Sequence, residues 1–406
     1  MLRADKIFVF VYRGFDHGGI ETIILRLANY VAENQGVACV VAAPGSLDKF
    51  LKKNVKRFSQ VSVLLDWLES SSSLVSMDIV FLSYDAESCS AVVKSRAFFK
   101  KRKVLTQHLT AVCSPTAYFS QYDPWYQITF NRIQIVLFGV KNTYFLNSSC
   151  RASHAKKISS SLKNCEVVLQ PITKRNNLYQ RRFSDKNILR IFSVGRIIKY
   201  KDYNFKAAEV VDCLMRSGIE VVWDIYGHGP DVEMLEKSIL ELGLVKIVNY
   251  KGSVEYDNIE SLIQNYDIFV GVGTSMLEVA SFGMPALCSV DWDGLSTFGY
   301  IFELAEGHVG EDTEGKVKYS LYERLLSFYQ MDQDNRIKLS LDCYESVGET
   351  YGIDTHLNKL DQLLMKSDRD PGALLLFCLV RIKEIIIGSS LVRDIYRTLT
   401  GRKINF

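Results

Sequence analysis

Four segments of the sequence combine glycine with charged or hydroxyl side chains, a combination that binds phosphate groups through backbone amides and cations. Each follows a run of apolar residues that predicts a buried strand. The carboxyl ends of parallel strands collect at one edge of a sheet, where ligands bind. The four segments are Gly18–Gly19, Gly195–Lys201, Gly227–Pro230 and Gly271–Glu278.

The first segment holds Gly18 and Gly19 and opens the first predicted helix. Two glycines permit a tight turn, and the free amides of a helix N-terminus attract an anion. The spacing of Gly14, Gly18 and Gly19 does not match the G-x-G-x-x-G pattern of dinucleotide-binding folds. A glycine turn in which Glu21 complements the helix dipole explains the segment equally well.

Arg196 and Lys201 follow the first strand of the second half of the chain. A guanidinium offers a planar fork and an ammonium a point charge, so the pair could bracket a diphosphate. A solvated basic loop is the alternative. The Gly227-x-Gly229-Pro230 turn adds little by itself, because Gly and Pro mark turns in every fold.

The fourth segment predicts a strand, a glycine-rich turn and a helix that carries Glu278 in its first turn. The amides of the turn could hold a phosphate while Glu278 accepts hydrogen bonds from ribose hydroxyls. Ser275-x-x-Glu278 is also the pattern of a capping box, which is a purely structural role. On these residues alone both interpretations stay open.

The elements that must position these segments repeat along the chain. Strand-like and helix-like stretches alternate through residues 7–169 and again through 188–289. This α/β pattern predicts two doubly wound, Rossmann-like parallel-sheet domains that face each other across a cleft. We place the domains at 1–172 and 173–365 and expect a basic amphipathic helical tail over 366–406.

Composition excludes several protein classes. Lys and Arg number 49 against 46 Asp and Glu, which gives no preference for nucleic acid. With 48% hydrophobic residues and seven prolines, the chain is not disordered. Nine cysteines without a Cys-x-x-Cys pair indicate neither a zinc site nor a disulfide framework. No signal peptide or membrane-spanning run is apparent, so we expect a cytoplasmic protein.

Two basic stretches predict contact with an anionic membrane. Residues 96–103 place five cations around two aromatic residues, Phe98 and Phe99, that we expect to be exposed. The C-terminal stretch combines a helical apolar stripe with six cations and two acidic residues. A terminal helix that docks on the protein is the alternative. The stripe comprises Leu375, Leu379, Ile382, Ile386, Val392, Tyr396 and Leu399.

In this order, the four segments resemble the retaining GT-B glycosyltransferases of the family 4 type, the glycosyl transferases group 1. The family's Gly-Gly loop, Gly-Arg…Lys segment, Gly-x-Gly-Pro turn and Glu-Ala-x-x-x-Gly-x-Pro segment all have counterparts, the last at Glu278–Pro285. The resemblance implies transfer of a sugar from a nucleotide-sugar to a lipid-linked or growing surface polysaccharide, such as lipopolysaccharide or capsule. It implies no metal and no cofactor, and a peripheral position at the inner face of the cell membrane.

Residue by residue, the resemblance implies that Arg196 and Lys201 stabilise the departing diphosphate. It implies that Glu278 binds the ribose, and that the amides from Thr274 to Leu277, with Ser275 among them, bind the phosphates.

The glycines of the resemblance, Gly18, Gly19, Gly227 and Gly229, would let the ligands approach the backbone. His108, at the end of a predicted strand over Lys103–His108, matches the family's histidine beside the transferred sugar. Without the resemblance, a core imidazole is the better interpretation.

The sequence departs from the family pattern at three places. Val270 stands where the first Glu of Glu-x7-Glu is expected, and Asp202 replaces the glycine after the lysine. Asp291-Trp292-Asp293 imitates a metal-binding Asp-x-Asp, but its position after a late strand predicts a turn. A nucleotide-sugar epimerase and a non-catalytic nucleotide-sugar-binding subunit therefore stay as alternative functions.

Overall fold

A computed structural model describes residues 6–34, 36–71, 77–101, 104–120, 123–173, 183, 188–304, 307–312, 316–369 and 373–388. Its internal contacts divide the chain into two compact units. Unit 1 comprises Met1–Leu169 and His356–Phe406, and unit 2 comprises Gln170–Thr355.

Unit 1 contains a parallel sheet in the order β3-β2-β1-β4-β5-β6-β7. The central strands are almost entirely apolar and buried, as expected for a sheet that helices cover on both faces. Its strands are β1 (Lys6–Val11), β2 (Val37–Val41), β3 (Lys56–Phe58), β4 (Asp78–Ser83), β5 (Thr106–Val112), β6 (Thr143–Phe145) and β7 (Glu166–Val167). The helices between them are α1 (Gly19–Asn34), α2 (Val61–Ser70), α3 (Ala86–Lys101), α4 (Trp125–Phe138) and α5 (Ser148–Lys157).

Unit 2 contains a second sheet in the order β10-β9-β8-β11-β12-β13-β14, in which the last two strands run antiparallel to their neighbours. Its strands are β8 (Ile188–Val194), β9 (Glu220–Tyr226), β10 (Val248–Tyr250), β11 (Ile268–Gly271), β12 (Ala286–Val290), β13 (Asp293–Tyr300) and β14 (Tyr319–Ser320). Its helices are α6 (Tyr203–Arg216), α7 (Val232–Glu241), α8 (Ile259–Leu262), α9 (Gly273–Ala280), α10 (Leu321–Gln330) and α11 (Gln333–Thr350). The prediction of two doubly wound α/β domains is confirmed, and the antiparallel pair is an addition to it.

The apolar run Val61–Leu65 predicts a strand by its sequence, and this prediction is wrong. These residues form the first part of α2, and β3 lies just before them. The buried residues of α2 are Leu64 and Leu68, four positions apart, so the helical period decides the local structure over β propensity.

The C-terminal boundary also differs from the predicted one. Helix α12 (Ile353–Lys366) crosses it, and the described residues from His356 onward pack with unit 1. His356 Nδ1 lies 2.6 Å from the Leu169 carbonyl oxygen, and Gln107 donates to the Leu364 carbonyl at 2.8 Å. Residues 356–365 therefore belong to unit 1 instead of the predicted second domain.

Helix α13 (Ala373–Gly388) docks on α3 and α4. Leu376 and Val380 are buried there with Phe138, whereas Leu375 is 67% exposed. The docked residues Leu376 and Val380 thus each lie one position after the predicted stripe residues Leu375 and Leu379. Its cations are engaged as well, because Lys383 donates to Asn131 Oδ1 at 3.0 Å and Arg381 pairs with Glu384. Ile386 has no described side chain, and Val392, Tyr396 and Leu399 lie outside the described residues.

The basic stretch 96–103 is likewise less exposed than expected. Phe99 is buried and Phe98 is partly buried in the core of unit 1. The guanidinium of Arg96 lies over the Phe138 ring at 6.0 Å. Both aromatic residues therefore serve packing. No helix within the described ranges combines the length and the hydrophobicity that crossing a bilayer requires.

Candidate active site

The loops after β8, β9 and β11 form one cluster in unit 2. A Cβ built on Gly195 would lie 3.2 Å from Lys201 Nζ and 4.0 Å from Ser275 Oγ. The strand order changes direction between β8 and β11, and such a switch point is where open α/β sheets bind ligands. The structure thus brings Ser275 of the fourth segment next to Gly195 and Lys201 of the second.

Two glycines fit the β9–α7 loop tightly against the β8–α6 loop. A Cβ on Gly227 would overlap the Gly195 carbonyl oxygen, and the φ of Gly227 is +149°. A Cβ on Gly229 would overlap the Ile197 backbone. The loops are also joined by the Ile197 N–H, which donates to the His228 carbonyl at 3.0 Å. These glycines shape the site by backbone packing.

Lys201 is the partly buried cation of this cluster, with its amine close to Gly195. Burial lowers its pKa, the neighbouring Arg196 lowers it further, and Asp291 opposes both. Arg196 itself is exposed. Burial and then Glu311 raise the pKa of Asp291 to about 7, while Lys201 lowers it. An anionic ligand beside Lys201 would favour the charged form of the amine.

Helix α9 begins at Gly273, earlier than the sequence pattern suggests. Its N-cap is Val272, without a side-chain cap, and the Ser275 hydroxyl donates to the Val272 carbonyl at 3.2 Å. Glu278 is therefore in the second turn, and the capping-box interpretation is wrong. The first-turn amides of Thr274 and Ser275 have no intrahelical acceptor, as at every helix N-terminus.

Glu278 is 5% exposed. Its burial places it beneath the loops rather than on their surface. Val270, at the position of the expected first Glu, is a fully buried core residue of β11. The turn from Gly271 to Gly273 leads directly into α9, so no additional loop follows this strand.

Asp291 and Trp292 form the turn between β12 and β13, and Asp293 is the first residue of β13. Asp293 pairs with Lys318 at 3.2 Å. Within the described part of the chain, no group of three or more His, Cys, Asp and Glu side chains has a metal-binding arrangement.

In unit 1, the Gly18–Gly19 segment opens α1 as predicted. A Cβ on Gly18 would lie 2.8 Å from Cδ of Glu21, so the Glu21 carboxylate packs on the glycine backbone. The carboxylate thus already complements the helix N-terminus, which favours the structural interpretation of this segment.

His108 does not lie at a strand end. β5 continues to Val112, and His108 is the third residue of the strand, 2% exposed. Its Nε2 is 2.9 Å from Ser83 Oγ, and its ring centroid is 4.6 Å from that of Phe138. Burial holds the pKa of His108 well below its ordinary value, so the ring is neutral. This environment favours the alternative of a core imidazole, and the site role of His108 stays a prediction.

The carboxyl edge of the unit 1 sheet holds other polar residues that the sequence reasoning missed. Arg13 follows β1, Asp85 follows β4 and Cys113 follows β5. Tyr12 raises the pKa of Arg13 most, and Asp85 adds to this effect. Their position one or two residues beyond the end of a strand is the signal that could have identified them.

Comparisons with known proteins agree with this fold. Residues 175–296 match the family described as Glycosyl transferases group 1. A sequence search among curated proteins gives no significant match. Three similar solved structures each align with 89% or 90% of the chain.

A TarM variant of S. aureus, in complex with fondaparinux, alpha-GlcNAc-glycerol and UDP, has 10% identity and a TM-score of 0.62 over 89% of this chain and 99% of its own. A glycosyltransferase of Rickettsia africae has 12% identity and a TM-score of 0.61 over 90% and 100%. The lipopolysaccharide outer core galactosyltransferase WaaB has 18% identity and a TM-score of 0.52 over 89% and 99%. The fold is that of the GT-B glycosyltransferases, and the group 1 match over residues 175–296 of unit 2 supports a glycosyltransferase activity.

Proposed function

We propose that the protein is a retaining, family 4-type glycosyltransferase that binds its nucleotide-sugar donor at the loops after β8, β9 and β11. The observation that carries this proposal is the partly buried Lys201 beside Gly195 and Ser275, at the switch point of the sheet. A partly buried lysine with a lowered pKa needs a counter-charge, and the donor's diphosphate supplies it.

In this proposal the reaction needs no metal and no cofactor. Negative charge grows on the diphosphate as the bond to the sugar breaks, and Lys201 and Arg196 stabilise that charge. The amides of Thr274 and Ser275 contact the phosphates at the start of α9. Glu278 lies deeper and accepts hydrogen bonds from the ribose. Gly227 and Gly229 keep the loops close enough to receive the nucleotide.

We further propose that the acceptor is lipid-linked or a growing surface polysaccharide, of lipopolysaccharide or capsule type. The similar structures support this choice of class, because WaaB is a lipopolysaccharide outer core galactosyltransferase and TarM was crystallised with UDP and a sugar–glycerol conjugate. Donor base, donor sugar and linkage depend on loop residues that differ freely among glycosyltransferases.

An apolar surface on unit 1 supports action at the cytoplasmic face of a membrane. It comprises Trp125, Ile133 and Val136 of α4 and Leu375, Ile382 and Ile385 of α13, all of them exposed, on two helices that pack against each other. We call it the α4–α13 surface. Exposed cations accompany it: Arg132 on α4, Arg381 on α13, which pairs with Glu384, and Lys141 beyond α4, which pairs with Asp368. Apolar side chains flanked by cations suit an anionic bilayer, where each basic residue contributes about 1 kcal/mol.

One experiment separates this function from its alternatives. The purified protein is incubated with UDP-, GDP- and ADP-linked sugars, with and without a lipid-linked acceptor. Acceptor-dependent transfer, with the donor's anomeric configuration retained in the product by NMR, supports the proposal. Acceptor-independent isomerisation would identify an epimerase. Binding without turnover would identify a non-catalytic subunit, which the apolar Val270 makes the stronger alternative.

The membrane proposal has its own test. The protein should sediment with vesicles that contain anionic phospholipid. With neutral vesicles it should stay in the supernatant. High salt should weaken this binding without abolishing it, because apolar contacts are not screened. Equal affinity for neutral and anionic vesicles, or none for either, would contradict the proposal.

A further inference from the structure

The turn between β12 and β13 carries a tryptophan in an unfavourable conformation. Trp292 has a φ of +68°, and no other non-glycine residue in the described ranges has a positive φ. A bulky residue in this region is strained, and glycine would adopt it freely. The side chain gains little burial in return, since 71% of Trp292 is exposed. Strain that packing does not explain is characteristic of functional sites.

Backbone contacts hold this turn against the loop that carries Lys201. The Trp292 N–H donates to the Tyr200 carbonyl at 2.7 Å, and the Gly294 N–H donates to Asp202 Oδ2 at 3.3 Å. A Cβ on Gly294 would lie 2.5 Å from the backbone nitrogen of Tyr203. These two contacts join the turn that carries the indole to the loop that carries Lys201, the residue proposed to hold the diphosphate.

The groups around the indole suit a sugar ring. Trp292 and Tyr200 are 6.2 Å apart between ring centroids and inclined by 46°. Aromatic faces bind the C–H faces of sugars, and nearby polar groups bind the hydroxyls. Among the described residues, Asp291 Oδ1 is buried without a hydrogen-bond partner, so a ring hydroxyl could satisfy it. Val270 stands where the Glu-x7-Glu pattern has its first Glu, and its apolar side chain cannot bind a sugar hydroxyl.

We propose that Trp292 is the stacking platform for the sugar of the nucleotide-sugar donor, and so determines which donor sugar the enzyme accepts. This inference rests on the proposed function, because it takes the diphosphate to lie beside Lys201. The sugar is bonded directly to that diphosphate, which brings its ring next to the turn. The strain in the backbone is the cost of presenting the indole to the ring.

The test compares two ligands by calorimetry: a nucleoside diphosphate and the matching nucleotide-sugar, with UDP, GDP and ADP each tried. Trp292→Ala should lower the affinity for the nucleotide-sugar by about fivefold to tenfold, the range expected for one aromatic contact. Affinity for the nucleoside diphosphate should not change. Trp292→Phe should restore most of the loss. Phe302→Ala, which removes an exposed aromatic side chain elsewhere in unit 2, is the matched control and should leave both affinities unchanged.

A second variant protects the test from misfolding. Trp292→Gly removes the strained conformation, so its melting temperature should be equal to or above that of the wild type. It should lose sugar affinity as Trp292→Ala does. Unchanged nucleotide-sugar affinity in both variants would overturn the inference, as would an equal loss for the nucleoside diphosphate or a change confined to the acceptor KM. If the wild type binds none of the three diphosphates, the proposed function fails and this inference fails with it.

Discussion

Two neighbouring leucines of α13 offer a sharp test of how unit 1 uses this helix. Leu376 is fully buried with Phe138 and Val380, whereas Leu375 is 67% exposed on the α4–α13 surface. Replacing a fully buried leucine by alanine removes its transfer free energy and leaves a cavity, a loss of about 3 kcal/mol. For a unit of this size, that corresponds to a fall in melting temperature of about 6–12 °C. An exposed leucine should cost less than about 0.5 kcal/mol.

Membrane binding should show the opposite order. Leu375→Ala removes apolar area from the α4–α13 surface, so it should weaken sedimentation with anionic vesicles several-fold and leave the melting temperature nearly unchanged. Leu376→Ala should lower the melting temperature and bind vesicles as the wild type does. Circular dichroism melting and a vesicle sedimentation assay measure the two effects. Equal destabilisation by both substitutions would refute the docked geometry of α13, and equal vesicle binding by both would refute the membrane role of its exposed face.

Three further predictions concern the sites. The pKa of Asp291 is raised from 3.8 to about 7 in the folded protein, so the folded state binds this proton more tightly than the unfolded state does. The wild type therefore loses stability as pH rises between about 4 and 7. Asp291→Asn should therefore gain stability relative to the wild type over that range, by at most about 1.4 kcal/mol per pH unit in denaturant titrations; a pH-independent difference would contradict the raised pKa. Gly227→Ala should disrupt the β9–α7 loop and abolish donor binding, whereas Gly14→Ala, with open space around its Cβ, should bind the donor normally; equal binding by both would contradict the close packing of these loops. His108→Gln should lower the melting temperature by disturbing a packed core but keep turnover within about a factor of three, and a loss of several orders of magnitude would return His108 to the active site.

Most strands of both sheets were predictable because they are short apolar runs between polar segments, as in Asp78–Ser83, Ile188–Val194 and Glu220–Tyr226. β4, β8 and β9 have the predicted bounds. β13 was not predictable in this way, because Asp293–Tyr300 contains glycines and hydroxyl residues instead of an apolar run. Local patterns also gave the wrong end for β5. The sequence predicts that this strand ends at His108, whereas the buried strand continues to Val112.

Helix faces were harder to predict than helix positions. α13 begins with the nearly continuous apolar run Ala373–Val380, so helical period alone does not decide which side docks. Tertiary packing against α3 and α4 decides it. In unit 2, the order of the glycine-rich segments predicted the site cluster. The strained Trp292 left no signal in the sequence, because a turn of Asp-Trp-Asp gives no indication of backbone conformation.

The central claim, that the donor's diphosphate lies beside Lys201, is tested most directly by comparing two lysines of one loop. Lys199 is exposed, and its backbone N–H rather than its side chain contacts Asp231, so Lys199→Met is the matched control for Lys201→Met. With saturating donor and acceptor, Lys201→Met should lower kcat by about two orders of magnitude, the contribution of one preorganised cation at a developing charge. Lys199→Met should keep nearly full turnover. Equal turnover in the two variants would contradict the account.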